Sequence, residues 1–341
     1  MKIAIHPVSG SFSDRWIDYC KEKKIPFKLV NCYQNNIIGQ LADCDALMWH
    51  FHHASSKDVL FAKQLLYSVK ASGKQVFPNF ETVWHFDDKV GQKYLLESIQ
   101  APVIPSYVFY IKKEAINWTA NTVFPKVFKL RGGAGSVNVK LVKNQSHAIR
   151  LINQAFGAGF KHDSLIPVSE LFNKYRQGKV PLISILKGLL RPFKPTAFAK
   201  VHGREKGYIY FQDFIPNNNS DIRVIVIDGK AFAIKRMVRK NDFRASGSGE
   251  IYYDKELFDL ETIKLSFDIA NKLNSQCIAF DFVYSGAIPL IVEISYGFSV
   301  AGYDPCKGYW SSNMTWHEGS FNPQAWMVES IIKSIKVHKC L

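Results

Sequence analysis

A chain of 341 residues, 47% hydrophobic and 21% charged, has ordinary globular composition and length for a buried core in roughly two or three domains. No apolar run reaches the roughly 18–20 residues of a membrane-spanning helix. The six cysteines (Cys20, Cys32, Cys44, Cys277, Cys306 and Cys340) form no CxxC pair, and the chain length argues against a disulfide scaffold, so reduced, mostly buried thiols are expected. A formal net charge of +15 attracts polyanions, whether nucleotides, nucleic acid, anionic lipid or acidic sugars. With no zinc-finger spacing and no RNP signature, nucleic acid is not the expected partner.

The opening Met1-Lys-Ile-Ala-Ile-His6 reads as a strand, without the apolar core and small-residue cleavage site of a signal peptide, so a cytoplasmic protein is expected. Phe12–Lys24 has helical spacing, with Ser11 or Ser13 as N-cap. Phe27–Asn31, Asp45–Phe51 and Gln75–Pro78 read as strands, and Lys57–Ala71 as a helix closed by Gly73. Such alternation predicts a parallel, doubly wound sheet, with ligands beyond the carboxyl ends of its strands. His50, His52 and His53 fall at one such end, as surface histidines, as polar residues lining a cleft, or as a metal cluster.

Asp87–Gln100 is a predicted helix carrying Asp88-Lys89, broken by Pro102 and Pro105, and Tyr107–Tyr110 is strand-like. Phe124–Leu130 and Val137–Val142 read as strands joined by Arg131-Gly-Gly-Ala-Gly-Ser136, and His147–Phe156 as a helix. Residues 160–205 are basic and punctuated by Pro167, Pro181, Pro192 and Pro195, with a cationic amphipathic stretch at Leu182–Arg191. A packed helical insertion is one reading; contact with a membrane surface or acidic partner through residues 180–195 is the other.

From Gly207 the pattern turns to β. Tyr208–Ile215, Asp221–Ile227 and Ala231–Val238 read as strands, the last two joined by an Asp228-Gly229 turn. Glu261–Leu273 is a predicted helix, Cys277–Tyr284 and Leu290–Ser295 are strands around Ser285-Gly286, and an aromatic-rich tail ends in a helix from Gln324 to Val337. Those aromatics pack against the fold or stack on a sugar or base.

Three constellations carry chemistry. Glycines after Lys129 let backbone N–H groups close over phosphate oxygens, although the loop is neither a Walker A nor a dinucleotide fingerprint. Asp281 and Glu293 are lone acids in apolar strands, where an unpaired carboxylate is costly; facing one another they could share Mg²⁺ or close an internal salt bridge. Arginines crowd Ser220-Asp-Ile-Arg-Val224, Ile234-Lys-Arg-Met-Val-Arg239 and Asn241-Asp-Phe-Arg-Ala-Ser246, a density suited to phosphate or carboxylate, or to a solvated basic face.

Taken in order, these stretches resemble the ATP-grasp superfamily from about Asp87 to Ser295, most closely ribosomal-protein glutamate ligases and glutathione-synthetase-like enzymes. The resemblance implies an α/β (α+β) ATP-grasp fold behind a pre-ATP-grasp doubly wound domain. Its parts would be residues 1–86, a central subdomain 87–205 with the insertion at about 160–205, and a C-terminal subdomain 206–341. It implies ATP and Mg²⁺ as cofactors, with Mn²⁺ as an alternative cation. Lys89 and Lys129 look like the nucleotide lysines. Gly132, Gly133, Gly135 and Ser136 look like the loop over the phosphates. Gln212, Asp213 and Phe214 resemble the hinge that reads the adenine edge. Asp221 and Arg223 resemble the pair at the substrate end. Lys235, Arg236 and Arg244 look like the triphosphate and acyl-phosphate clamp, and Asp281, Glu293 and Ser295 like the magnesium ligands. Ser295 is a departure, because the family usually has Asn there.

The implied activity is an ADP-forming carboxylate–amine ligase working through an acyl-phosphate. A saccharide or small-molecule acid and an amine are the expected substrates, in polysaccharide or peptide biosynthesis. A kinase-like phosphotransferase and an inactive nucleotide- or nucleic-acid-binding module are the alternatives. Nothing in the sequence sets the oligomeric state.

Overall fold

The first eighty residues alternate strand and helix: β1 (Ile3–Ile5), α1 (Phe12–Glu22), β2 (Phe27–Leu29), α2 (Ile37–Gln40), β3 (Ala46–Met48), α3 (Ser56–Ala71) and β4 (Gln75–Phe77). The computed structural model describes residues 1–133, 138–161, 181, 201–239 and 242–340. The four strands pair in parallel in the order β2-β1-β3-β4. Capping hydroxyls start the helices: Ser11 accepts from Ser13 N and Ser55 from Asp58 N. Because a parallel sheet is covered on both faces, successive residues enter different cores. Ile3, Ile5 and Met48 join one cluster, Ala4, Leu47 and Trp49 the other.

The middle of the chain forms α4 (Phe80–Val83), α5 (Lys89–Ser98), β5 (Ser106–Phe109), α6 (Lys112–Asn121), β6 (Lys126–Lys129), β7 (Lys140–Val142), α7 (Gln145–Ala155), β8 (Phe160–Lys161), β9 (Arg204–Glu205) and β10 (Ile209–Asp213). β8 and β9 pair with each other; the others form an antiparallel sheet in the order β5-β10-β6-β7. Thus β10, beyond the expected boundary at residue 206, lies inside the middle sheet. Periodicity identifies a strand but not the sheet it joins. Phe128, Leu130 and Phe211 pack against Ala148, Leu151 and Ile152 of α7, which leaves the other face of this sheet for a cleft.

The remainder forms β11 (Ser220–Ile227), β12 (Lys230–Met237), β13 (Ile251–Tyr252), α8 (Leu260–Lys272), β14 (Cys277–Ser285), β15 (Ile288–Ser295), β16 (Gly308–Ser311), β17 (Trp316–Glu318) and α9 (Pro323–Lys339). The sheet order is β15-β14-β11-β12-β16-β17, with β13 also on β12. Asp228 (φ 44°) and Gly229 (φ 72°) make the tight left-handed turn between β11 and β12. Val224, Ala233 and Phe280 face α8 through Ile263 and Phe267. Ile225, Phe232 and Ile234 face the opposite way, into the same cluster as Ile3, Trp16 and Trp326. That shared core fixes the first sheet against the last. Tail aromatics serve packing: Trp310 is buried, with its ring centroid 4.5 Å from that of Trp316.

All six cysteines are free thiols, buried except for Cys340. Among the described residues no helix is long and apolar enough to cross a membrane. The amphipathic stretch Leu182–Arg191 lies outside the described residues.

Candidate active site

A cleft of about 920 Å³ lies between the middle sheet and the C-terminal sheet. Val127, Lys129 and Gln212 reach it from one side; Asp221, Asp281 and Glu293 reach it from the other. Apolar side chains line it as well, among them Ile104, Val139, Phe214, Phe243, Val283 and Val292. The Phe214 and Phe243 rings meet edge to face, 5.8 Å between centroids. A cleft lined by both apolar and charged side chains can take a flat, hydrophobic ring attached to a polyanion.

Lys129 is the sharpest feature. It sits opposite Tyr210 in the β6–β10 ladder and is only 4% exposed. Among the described residues its ammonium makes neither a hydrogen bond nor an ion pair. Burial pushes its pKa down to about 8, against the pull of Glu293. A buried cation without a counter-ion is expensive, and a phosphate would relieve the cost. Lys89 begins α5, donates to Gly133 O at 2.8 Å and lies 3.8 Å from Glu293 Oε2.

Behind these lysines is a buried ionic network. Arg236 forks Asp221 at 2.7 and 2.6 Å, and its Nη2 lies 3.0 Å from Asp281 Oδ1. Arg223 Nη1 is 3.5 Å from the same oxygen, and its Nη2 donates to Gly297 O at 3.1 Å. Burial works against the Arg236 charge, but Asp281 and Asp221 outweigh it and hold the pKa well above the ordinary value. Asp281 is likewise disfavoured by burial, yet Arg223 and Arg236 hold its carboxyl below the usual range.

Asp281 and Glu293 are direct partners across β14 and β15 and point to the same face. Asp281 Oδ1, though ion-paired, is buried and accepts no hydrogen bond. An under-satisfied carboxylate oxygen beside a second carboxylate fits a hard divalent cation such as Mg²⁺. Among the described residues no group of three His, Cys, Asp or Glu side chains forms a metal cage. These two acids would therefore hold such an ion together with phosphate oxygens and water. Ser295 is differently placed. Its Oγ is bonded to both Gly297 N and Gly297 O at 3.2 Å, and it lines a neighbouring cavity rather than this cleft.

Other expected residues divide. Arg244 lines the cleft and forks Asp242. Arg223 and Arg236 line the neighbouring cavity. Lys235 lines neither, because strand alternation turns it away from Ile234 and Arg236. Gln212 is buried, and its amide donates to Ser106 Oγ and Val292 O, both at 3.2 Å. Its side chain ties the two sheets together at the cleft. Asp213 pairs with Lys126 at 2.5 Å, which leaves its backbone at the cleft. Gly132 N donates to Glu205, and Gly133 N to Asp87 Oδ1 at 2.8 Å. Gly135, Ser136 and Asn241 lie outside the described residues.

Several lining residues escaped sequence reasoning. Val139, Phe243 and Val292 are ordinary apolar side chains with no distinguishing pattern. Asp87 carries a signal in its backbone, a left-handed φ of 55°, which only coordinates reveal. His50, His52 and His53 line the neighbouring cavity, of about 2350 Å³.

Residues 196–304 match the family model of the RimK-like ATP-grasp domain. No curated protein shows significant similarity to the sequence. The fold is similar to D-alanine–D-alanine ligase from Bacillus anthracis at 15% identity and TM-score 0.59, covering 99% of each chain. A RimK domain ATP-grasp protein from Sphaerobacter thermophilus aligns at 15% identity and TM-score 0.54, over 98% of this chain and 100% of that one. The ATP-grasp ligase PsnB, complexed with a minimal precursor, Mg and ADP, aligns at 10% identity and TM-score 0.56, over 98% of each. Residues 196–304 thus match a RimK-like ATP-grasp domain, and the chain along its whole length has the fold of ATP-grasp proteins.

Proposed function

We propose that the protein is an ATP-dependent, Mg²⁺-requiring ligase that joins a carboxylate to an amine and releases ADP and phosphate. The observation that carries this reading is the buried Lys129 ammonium, unpartnered among the described residues, in a cleft shared with Asp281 and Glu293. One wall needs an anion and the other a cation, and a magnesium nucleotide supplies both. Similarity to proteins named as ligases, D-alanine–D-alanine ligase and PsnB among them, supports the reaction class.

A carboxylate is a poor electrophile, and phosphorylation by ATP turns it into an acyl-phosphate with a good leaving group. The protein contributes positioning and charge neutralisation. Phe214 and Phe243 would hold the base, while Lys89 and Lys129 would hold the phosphates. Arg244 would steady the transferred group from the cleft, with Arg223 and Arg236 acting from the acceptor side. Bound at Asp281 and Glu293, Mg²⁺ would neutralise charge on the phosphate oxygens; Mn²⁺ has the same ligand preferences for this purpose. Gly132 and Gly133 would lie against the phosphates and help exclude water, which would otherwise hydrolyse the intermediate.

The acid is a sugar acid or amino acid in this reading, in polysaccharide or peptide biosynthesis, and the enzyme is cytoplasmic. Residues 1–86 and 87–205 would form the first two parts, with 206–341 as the third and β10 reaching back into the middle sheet. A second reading, an inactive nucleotide-binding module, draws on Ser295, whose hydroxyl is turned to Gly297 instead of the acids. An ADP-release screen decides between them: ATP and Mg²⁺ with D-glucuronate, L-glutamate or D-alanine, each with glycine or L-lysine, read by product mass. Acid- and amine-dependent ADP with an amide product supports the ligase. ATP binding without turnover supports the module, and a phosphorylated product without amide supports a phosphotransferase.

A further inference from the structure

The nucleotide cleft and the larger cavity share Lys89, Gly133, Ser246 and Glu293. An acyl group phosphorylated at the charged end of the cleft would lie at that junction. The attacking amine would come from the larger cavity, mostly as an ammonium at pH 7. It must shed a proton before or during attack, so a proton acceptor is needed on this wall.

The candidates thin out quickly. Asp14 accepts from Gly10 N at 2.7 Å, and Asp304 pairs with Arg15 at 2.7 Å. Asp87 Oδ1 accepts from Gly133 N, and Glu293 belongs to the cation site. His50 lies flat on Phe12 at 3.7 Å, and its Nδ1 accepts from Phe12 N at 3.3 Å. His52 Nδ1 accepts from Ala54 N at 3.2 Å. In each of these two neutral rings the proton therefore sits on Nε2, and the one lone pair is spent.

His53 differs. Neither of its nitrogens has a hydrogen-bond partner among the described residues. Its ring is held in place by stacking on His52, 4.5 Å between centroids, and by an edge contact with Phe86 at 5.9 Å. The titratable groups facing it are His50 and His52 from its own segment, Lys89 from α5 and Glu293 from β15, with Asp87 on the same cavity wall. Burial lowers its pKa to about 4, helped by His52 and Lys89 and opposed by Glu293. It is neutral at pH 7, as a base must be, and the negative charge of nucleotide and acyl-phosphate would raise its basicity.

We infer that His53 accepts the proton that the ammonium must lose to attack the acyl-phosphate. One ammonium proton moves to the His53 imidazole, the freed lone pair forms the C–N bond, the C–O bond breaks with its electron pair leaving on phosphate, and the second proton lost by the nitrogen goes to that phosphate. Phosphate then takes the proton back from His53. This assignment rests on the carboxylate–amine ligase reading.

The test compares wild type with His53→Gln and His53→Asn, each first shown to retain the wild-type melting transition. The reactions contain ATP, Mg²⁺ and each of D-glucuronate, L-glutamate and D-alanine. Glycine or L-lysine serves as the protonated nucleophile, and hydroxylamine as one already neutral at pH 7. The variants should form amide about 10²–10⁴-fold more slowly at pH 7. That loss should shrink by about tenfold per pH unit as free amine accumulates. Hydroxamate formation should fall far less. Amide rates within about threefold of wild type, or equal losses with both nucleophiles, would overturn the assignment. Wild type that releases no ADP with any acid would sink the ligase reading itself, and the role of His53 with it.

Discussion

Asp281 and Glu293 stand directly opposite one another on β14 and β15, and the ladder slips by one residue immediately beyond them. Asp281 pairs with Glu293 but Phe282 pairs with Ile291, so Val292 is the extra residue of a bulge. Bulges re-aim neighbouring side chains. Here the Val292 carbonyl accepts from Gln212 of the middle sheet, which ties the bulge across the cleft.

Replacing Gln212 with Leu should therefore do two things. It strands the Val292 carbonyl and the Ser106 hydroxyl contact, costing about 1–3 kcal/mol. It also loosens the strand that carries Glu293, so ADP release should fall at a given ATP concentration. Urea denaturation and an ATP titration of initial rate check the two effects. Unchanged values in both would show that the cross-sheet bond positions nothing.

Lys129 makes a pH-dependent contribution whose sign can be worked out. Its folded value, about 8, lies below the ordinary 10.5. Below pH 8 both folded and unfolded chains keep the proton, and the cost of the buried charge is present in full. Between 8 and 10.5 the folded chain releases its proton first, so stability rises with pH in that window. Lys129→Met should be more stable than wild type by about 3 kcal/mol at pH 7, with the gap closing above pH 8. It should also lose ATP binding. In the wild type, ATP affinity should weaken above pH 8, as the ammonium is titrated away. Thermal melts across pH, paired with calorimetric ATP titrations, read both effects.

Asp281→Asn should behave differently from any change at Glu293. Asp281 is 7% exposed and sits between Arg223 and Arg236. Losing its charge leaves two buried guanidinium groups with Asp221 alone, a loss of about 3–5 kcal/mol. Denaturant titration of the variant should show this drop in midpoint. A shift no larger than for Glu293→Gln would mean that the arginines are solvated.

Parts of this arrangement were legible in the sequence because they break a local rule. Asp281 and Glu293 are acids inside apolar strands, and Lys129 ends one such strand; the structure brings all three to one cleft. The Asp228-Gly229 turn fixes the β11–β12 register, so Asp221 and Arg236 meet. Features set by strand register and by contacts between sheets were not legible. The use of Gln212 as a staple and the Lys126–Asp213 pair need strands distant in sequence, and the bulge at Val292 lies inside the β14–β15 hairpin with no residue type that marks it. Lys235 could have been read better. Its alternation with Ile234 and Arg236 already assigns it to the other face.

The requirement for a divalent cation can be separated from folding. Chelation by EDTA should abolish ADP release and leave the melting temperature unchanged, because the described ion pairs of the site are made by protein groups alone. Added Mg²⁺ should restore turnover, and Mn²⁺ should substitute. Persistence of turnover in EDTA would remove the cation from the account.

Glu293→Ala gives the most direct test of the central claim, that Asp281 and Glu293 face a nucleotide across the cleft from Lys129. The Glu293 side chain is 32% exposed, and its one ion pair among the described residues, with Lys89, is long at 3.8 Å, so the variant should melt like wild type. Its Mg²⁺- and acid-dependent ADP release should fall to background. A folded Glu293→Ala protein that turns over ATP at the wild-type rate would contradict the account.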